Sequence, residues 1–523
     1  MSDQKKYVEL FAGCGGLSLG LESSGWKLEL ANELSPMAAE TFAYNILGEN
    51  LKGGEYNSDS KVSYVENIKS IDVKDWKNKQ LVVGDVVKLV ENLKSRPELL
   101  ERFKGIDLIS GGPPCQGFSM AGRRTERDPK NKLPYAFVDF VEFVQPKAVI
   151  LENVEGILRQ FSKDGGTKLP WLEVAKAFAA IGYAPLCFLL NARQFGIPQN
   201  RPRFIMLGLK KSLKSKIIKK LKSRQQDEIK KIFQHAFEFA EKDTSFIMKY
   251  SGKDPAIHID VINPRFAEMR NLNASEIFLN ENLFPEFIEE EISVGEAIDD
   301  LAKYGYFKIK SSETTVRKPI SGNKYSQSLS DKFTPILNHP LDHTLGLHNH
   351  ELRNHSAKVQ NRFIFLQEIR KIKNNEIRNC LEKCLRGKEV EDKYLERIRA
   401  TLSNKPRLDG IINTNSNSQL LDSIENIRSK KHSQRAMAKN LPAPAQLTIP
   451  DDICHYSEKQ PRTLTVREMA RIQSFPDEFV FRAKMTTGGK NRRFEVPQYT
   501  QVGNAVPPLL GNALGKWVLK ILE

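Results

Sequence analysis

The stretch YVELFAGCGGLSLGLESSGWKLELANE, residues 7–33, decides the fold. A short apolar run leads into a turn that holds Gly13, Gly15 and Gly16, and a segment with helical leucine spacing follows. A second strand-like run then ends on Glu33. A strand, a glycine turn, a helix and a second strand are typical of a parallel βαβ unit. The stretch therefore predicts the start of a doubly wound α/β sheet.

The same alternation of strands and helices continues to about residue 209. Apolar runs at 80–85, 105–112 and 147–153 (QLVVGD, GIDLISGG and KAVILEN) predict three further strands. Short apolar strands separated by helical stretches are typical of parallel α/β sheets. Residues 184–209 hold two apolar runs with a short connection, which favours a hairpin over a crossover.

Polar residues at the predicted strand ends indicate a cofactor pocket. Gly13 and Gly16 would let a ligand approach the backbone, and Glu33 could hold ribose hydroxyls. Asp85 ends the third predicted strand, where an adenine would lie. The spacing is Gly-x-Gly-Gly, whereas pyrophosphate-binding turns use Gly-x-Gly-x-x-Gly. The glycine turn and the two acids therefore predict a nucleoside-containing cofactor. This pattern alone fits either a dinucleotide or S-adenosylmethionine.

The segment GGPPCQ places Cys115 at the carboxyl end of a predicted strand. Ligands bind at this edge of open α/β sheets. Pro113 and Pro114 restrict the backbone before the thiol, which suits a nucleophile aimed by stiff chain. The alternative is a small buried cysteine, but Pro-Pro-Cys-Gln at a strand end is poorly suited to core packing.

An acid and two arginines are predicted to join this cysteine. Glu152 follows four apolar residues of the next strand, where an acid is costly unless it has a partner or a chemical role. It could act there as a proton donor. Arg201 and Arg203 alternate in QNRPRF and are predicted to share one strand face, where either guanidinium could bind an anionic or carbonyl group.

Composition limits the setting of the protein. The 523 residues carry 80 lysines and arginines against 64 acids, for a formal charge of +16, which favours a nucleic-acid partner. The six irregularly spaced cysteines do not suggest a disulfide framework. No signal-peptide pattern and no apolar run of ~18 residues is present in the sequence. We therefore expect a soluble cytoplasmic protein with no membrane partner.

The middle of the chain, residues 210–460, is more polar and lacks the alternation of strands and helices. Residues 210–224 contain eight basic residues and no acidic one. This composition fits a solvated amphipathic helix and a phosphate-binding helix equally. Five histidines lie within residues 339–355, but no cysteine accompanies them, and we predict no metal site. Cys380 and Cys384, four residues apart on a predicted helix, are predicted to be packing residues.

Six motifs stand in the order expected of DNA (cytosine-5)-methyltransferases, a family that this chain resembles. They are ELFAGCGG, GGPPCQGFS, LENV, QNRPR, LTVREMARIQSFPDEF and QVGNAVPP. The resemblance covers roughly residues 7–209 and 461–511. One departure is Glu9, where the family usually has Asp. The resemblance implies a Rossmann-like catalytic domain over 1–209, an inserted target-recognition domain over 210–460, and a C-terminal segment, 461–523, that returns to the catalytic domain.

The resemblance also implies a chemistry. Cys115 would add to carbon 6 of a flipped-out cytosine, Glu152 would contact or protonate ring N3, and Arg203 would hold the base carbonyl. The methyl donor would be S-adenosylmethionine, with no metal. Cofactor contacts carry over to Phe11, Gly13, Gly16, Glu33, Asp85, Val86, Pro114, Asn504 and Ala505. Residues 116–127, with three arginines, resemble the loop that closes over DNA.

The expected function is thus methylation of carbon 5 of cytosine in a specific duplex sequence by a monomeric enzyme. The modification half of a restriction–modification system, with a cognate endonuclease acting on the same site, is its natural setting. The alternatives are a tRNA cytosine-5 methyltransferase, a nucleotide-dependent oxidoreductase and a catalytically inactive DNA-binding relative. The long middle region, the Gly-x-Gly-Gly spacing and the intact Cys115 and Glu152 argue against these in turn.

Overall fold

The structure is a computed structural model. It describes residues 4–51, 59–114, 133–158, 170–220, 227–241, 291–303, 322–339, 347–429, 434–446, 448, 453–488, 491 and 495–523. Cys115, the segment 116–127 and His343 lie outside the described residues. The chain is described up to Pro114 on one side of Cys115 and from Leu133 on the other.

Within the described residues, eight strands form one sheet. The strands of the chain are β1 (Lys6–Leu10), β2 (Lys27–Glu33), β3 (Val62–Tyr64), β4 (Leu81–Val83), β5 (Leu108–Gly111), β6 (Ala148–Val154), β7 (Tyr183–Asn191), β8 (Gln199–Asn200), β9 (Pro202–Lys210), β10 (Arg435–Ala436), β11 (Ala443–Pro444) and β12 (Ile453–Cys454). The order in the large sheet is β3-β4-β2-β1-β5-β6-β9-β7.

The strand directions confirm the predicted α/β architecture. From β3 to β6 every neighbouring pair is parallel, and the order moves outward in both directions from β1. This is the doubly wound arrangement, in which the carboxyl ends of the central strands meet at one edge. β9 is antiparallel to both β6 and β7, so the predicted hairpin over 184–209 is present.

Helices follow most of the strands, and others fill the middle and the end of the chain. They are α1 (Gly16–Ser23), α2 (Pro36–Phe42), α3 (Val73–Asn78), α4 (Val86–Lys94), α5 (Leu133–Val144), α6 (Pro170–Ala180), α7 (Lys214–Lys220), α8 (Asp227–Glu241), α9 (Val294–Lys303), α10 (Lys324–Phe333), α11 (Ala357–Arg370), α12 (Asn375–Leu385), α13 (Asp392–Leu402), α14 (Asn417–Ile427), α15 (Val466–Ile472), α16 (Gln498–Asn504) and α17 (Pro508–Leu522).

The two ends of the chain pack against each other through α1 and α17. Gly20 lies so close to α17 that a Cβ there would be 2.4 Å from the Pro508 carbonyl oxygen and 2.6 Å from the Asn512 nitrogen. A Cβ on Gly16 would be 2.4 Å from the Val506 carbonyl oxygen. Since side chains are excluded at both positions, the C-terminal segment can lie directly on the glycine-rich start of the fold.

The middle region contributes both to the main hydrophobic core and to clusters separate from it. Helices α8, α9 and α10 place apolar side chains in the main core around the sheet, including Phe237, Ile298 and Phe333. Helices α11–α14 instead share a separate cluster, which contains Cys380 and Cys384. The prediction that these two cysteines pack in a core is confirmed. We call residues 357–427 the helical unit.

No helix in the described part of the chain is both long enough and apolar enough to cross a membrane.

Candidate active site

Strands β6 and β9 bring an acid and an arginine together. Their antiparallel register sets Val154 opposite Arg203, and Arg203 Nε lies 2.8 Å from Glu152 Oε1. Both residues are 9% exposed, so water screens this ion pair little. Burial lowers the pKa of the Arg203 guanidinium, and Glu152 partly offsets that effect. The site thus holds a carboxylate beside a fixed cation.

The same acid lies against the segment that precedes Cys115. A Cβ on Gly112 would stand 2.9 Å from Glu152 Oε2, so a side chain at this position would require the carboxylate to shift. Asn153 Nδ2 donates to the Pro113 carbonyl oxygen at 3.0 Å. Two neighbouring side chains of β6 therefore contact the backbone that leads into Pro114 and Cys115. Cys115 itself is beyond the described residues.

The carboxyl ends of β1 and β2 form the neighbouring part of this edge. Glu33 accepts hydrogen bonds from the Gly13 and Ser35 amides, each at 2.8 Å. Burial raises the pKa of Glu33, against the effect of those two bonds. Phe11 has a φ of 58°, a strained value for a residue with a side chain. Such strain concentrates where backbone is held for a function.

The remaining predicted cofactor residues have mixed local roles. Asp85 caps α4 by accepting from the Val87 amide at 2.8 Å, which leaves its other oxygen outside that bond. Val86 is buried, whereas Pro114 and Asn504 are exposed. Gly16 lies against Ala505 and Val506, so its lack of a side chain also serves packing.

Two apolar residues at this edge were not predicted from the sequence. Leu34 is 65% exposed and Val87 is 37% exposed, among few large hydrophobic side chains so exposed in the described chain. Leu34 directly follows Glu33, and Val87 directly follows Val86. The available signal was their position, immediately after residues already assigned to the pocket.

Arg201, the other arginine of QNRPR, contacts a different part of the protein. Its guanidinium donates to the carbonyl oxygens of Gly503 at 2.8 Å, Ala505 at 3.2 Å and Gln446 at 3.2 Å. From the sequence, either arginine could bind an anionic or a carbonyl group. The structure pairs Arg203 with an acid and Arg201 with carbonyls.

Another acid lies just behind the glycine turn. Glu9 is 2% exposed and accepts a short hydrogen bond from Ser18 Oγ. Burial raises the pKa of Glu9 to about 8, and Glu22 and Glu33 add to this effect. Glu9 is therefore mainly protonated at neutral pH, unlike an exposed acid.

The histidines of residues 339–355 separate into different contacts. His339 Nε2 lies 3.0 Å from the Glu478 carbonyl oxygen, and His350 Nδ1 lies 2.9 Å from Thr465 Oγ1. His355 Nε2 lies 3.2 Å from Thr463 Oγ1. In the described part of the chain, no three histidine, cysteine or acidic side chains are grouped as metal ligands.

A family model described as C-5 cytosine-specific DNA methylase matches residues 5–263 and 299–520. The chain belongs to this family. The enzyme is a DNA cytosine methyltransferase, and the resemblance on which the sequence motifs rested is confirmed.

Relatives of this methyltransferase match along nearly its whole length. It is 27% identical to the type II methyltransferase M.DdeI of Desulfomicrobium norvegicum, over 97% of this chain and 87% of that protein. It is 26% identical to the type II methyltransferase M1.HphI of Haemophilus parahaemolyticus, over 98% and 87%. A crystal structure of a prophage-encoded E. coli protein, described as a DNA modification methyltransferase, shares the fold with a TM-score of 0.53 at 19% identity, over 99% of both chains.

Proposed function

We propose that this methyltransferase modifies carbon 5 of a cytosine flipped out of a specific duplex DNA sequence, as the modification enzyme of a type II restriction–modification system. A cognate endonuclease would act on the same sequence. The enzyme would act as a monomer in the cytoplasm. The names of the full-length relatives and the +16 charge support a DNA substrate in this setting.

The methyl donor we propose is S-adenosylmethionine, and the residues at the sheet edge fit it. Glu33 can hold ribose hydroxyls, and Asp85 has an oxygen outside its cap bond for the adenine amine. The exposed side chains of Leu34 and Val87 offer apolar surface for an adenine ring. Phe11, Gly13, Gly16, Val86, Pro114, Asn504 and Ala505 complete the proposed pocket. When bound, the cofactor supplies an electrophilic methyl group.

We propose that Cys115 starts the reaction as a thiolate that adds to carbon 6 of the cytosine. This addition removes the C5=C6 double bond, and with it the aromaticity of the ring, and makes carbon 5 enamine-like and nucleophilic. Glu152 contacts or protonates N3, so the negative charge that develops on the ring is neutralised. Arg203 holds the base carbonyl. After carbon 5 is methylated, loss of its proton and β-elimination of the thiolate restore the C5=C6 double bond and the aromaticity of the ring.

The position of Glu152 carries this proposal. Its carboxylate faces Arg203 on one side and the Gly112 backbone, three residues before Cys115, on the other. The acid, the cation and the segment that leads to the nucleophile therefore converge at one strand edge, where open α/β sheets bind ligands.

We further propose a division of the chain. Residues 1–209 and 461–523 form the catalytic domain, and 210–460 hold target recognition. The helical unit supports this because its core is separate from the main core. It also carries 14 lysines and arginines against 10 acids, an excess suited to DNA phosphates.

Expression in a bacterium without cytosine methylation, followed by bisulfite sequencing, tests the function. We expect 5-methylcytosine at one recurring DNA sequence. Label in tRNA together with unmodified DNA would replace this proposal by a tRNA methyltransferase.

The nucleophile is tested by Cys115→Ala, which should abolish labelled methyl transfer and leave cofactor binding measurable. Cys187→Ala is the matched control, since Cys187 is a buried cysteine of β7 with a pKa raised by burial. The control should keep its activity. Normal turnover by the Cys115 variant would contradict the covalent mechanism.

A further inference from the structure

Arg201 is a buried cation held by backbone carbonyls. It is 2% exposed, and in the described part of the chain it forms no salt bridge. Its guanidinium bonds to the Gln446, Gly503 and Ala505 carbonyl oxygens instead. Burial lowers the pKa of Arg201, and the nearby Arg203 adds to that effect. A buried charge is costly unless well bonded, so these three carbonyls stabilise it, and the carboxylate of Glu152 also favours the charged form.

Three glutamines extend these contacts. Gln199 Nε2 donates to Gln473 Oε1 at 2.9 Å, and Gln199 Oε1 accepts from the Gln446 amide at 2.8 Å. Gln473 Nε2 donates to the Val502 carbonyl oxygen at 2.7 Å. All three are at most 2% exposed. We call Gln199, Arg201, Gln446 and Gln473 the buried junction.

The buried junction joins the end of the middle region to the connection between β7 and β9 of the large sheet. Strand β11, just before Gln446, pairs with β8, and the Ala443 amide donates to the Pro198 carbonyl oxygen at 2.8 Å. Arg203, two residues beyond Arg201, pairs with Glu152. Movement of residues 443–446 would therefore displace the chain next to the proposed catalytic pair, Glu152 and Arg203.

On its other side the buried junction contacts the C-terminal part of the proposed pocket. Arg201 Nη2 bonds to both Gly503 and Ala505. The next residue, Val506, has its carbonyl against Gly16. Residues 503–506 thus lie between Arg201 and the start of α1, and Arg201 bonds to them and to Gln446 at once.

We infer that Arg201 is a positioning residue that couples DNA binding by the middle region to cofactor binding at residues 503–505. This inference rests on the proposed function. DNA contacts that restrain residues 443–446 also restrain Arg201 and, through its hydrogen bonds, residues 503–505. Because coupling between two binding equilibria is reciprocal, bound cofactor tightens DNA binding by the same factor.

The test compares the dissociation constant of S-adenosylhomocysteine with and without unmethylated plasmid DNA that the wild-type enzyme methylates. We expect DNA to tighten binding at least about fivefold in the wild type. In Arg201→Lys, which keeps the charge but loses the planar fork, the ratio should fall to within about twofold of one.

Arg467→Lys is the matched control. Arg467 is fully buried and also donates to backbone carbonyls, those of His348, Pro476 and Phe479, and none of these three hydrogen bonds is to residues 502–506. It should keep the wild-type ratio. A wild-type ratio in Arg201→Lys, or an equal loss in both variants, would overturn the inference.

Hydrogen–deuterium exchange of the wild-type enzyme gives a second test that needs no variant. We expect DNA to slow exchange at residues 502–506 as well as in the middle region. Slowing in the middle region alone would overturn the coupling, while methylation of the plasmid would still support the proposed function. An unmethylated plasmid would instead count against the proposed function.

Discussion

At the scale of single residues, the site depends on groups that each contact two partners. Glu152 faces both Arg203 and the Gly112 backbone, so one carboxylate lies between the cation and the segment that leads to Cys115, the proposed nucleophile. Its neighbour Asn153 fixes Pro113. Small displacements of β6 would therefore disturb the whole catalytic group, and not one side chain.

Replacing the acid tests its chemical role. Glu152→Gln keeps the size of the side chain but removes its charge and its carboxylic proton. We expect the rate of single-turnover methyl transfer to fall at least about a hundredfold, as for loss of a general acid. Binding of S-adenosylhomocysteine should change little. Glu155→Gln, three residues further along the chain, is the control and should retain the wild-type rate. A wild-type rate in Glu152→Gln would show that Glu152 takes no part in the reaction.

A second prediction concerns Glu9 and pH. Its pKa is about 8 in the folded protein, above the ordinary 4.5, so folded protein keeps a proton that the unfolded chain releases. Stability from this group is therefore full below pH 4.5 and declines as pH rises through about 8. Ser18, Tyr7, Glu22 and Glu33 surround it.

Glu9→Gln cannot release a proton. The free energy of unfolding of this variant, measured by urea titration, should therefore rise relative to the wild type as pH increases from 5 to 8. A difference that stays constant over this range would contradict a protonated Glu9.

At the scale of elements, the helix contact between α1 and α17 is set by glycines. Gly20→Ala would place a methyl group 2.4 Å from a backbone oxygen, whereas at Gly511 the nearest atom is the Leu17 carbonyl oxygen at 3.1 Å. We expect Gly20→Ala to lower the free energy of unfolding by about 1–3 kcal/mol, the usual range for overpacking.

Gly511→Ala is the control in the same interface and should have the smaller effect. Thermal and urea midpoints of both variants give the comparison. Equal midpoints for Gly20→Ala and the wild type would show that α17 does not hold this close contact.

The elements that the sequence could predict are those with a strong local pattern. Apolar runs that end on Glu33, Asp85 or Glu152 predicted the central strands, because parallel strands are buried and their ends are polar. The edge strand Val62–Tyr64 was not predicted, because a serine interrupts its sequence, VSY, and leaves no continuous apolar run. The hydrophobic core of the helical unit was also not predicted, because its apolar residues are dispersed among many charged ones and meet only through tertiary contacts.

Within the site, strand-end position predicted which residues share one edge. It could not separate the roles of Arg201 and Arg203, which are two residues apart. Their partners, Gly503 and Glu152, come from distant parts of the chain, and no local spacing reports such contacts.

At the scale of the whole molecule, the excess of basic residues should appear in the salt dependence of DNA binding. We expect the logarithm of the association constant to fall linearly with the logarithm of salt concentration, because bound lysines and arginines release counterions. Measurements between about 50 and 200 mM salt, with S-adenosylhomocysteine binding as a salt-insensitive control, give the slope. A flat profile would show that the +16 charge is not used on phosphates.

The packing of α17 on α1 also has a consequence for biosynthesis. A ribosome makes residues 508–522 long after α1, so the glycine face of α1 stays uncovered until those residues have emerged. Residues 503–505 emerge just as late. A nascent or prematurely terminated polypeptide without residues 503–522 would therefore lack one side of the proposed methyl-donor pocket, and newly made enzyme would gain activity only after these residues have emerged.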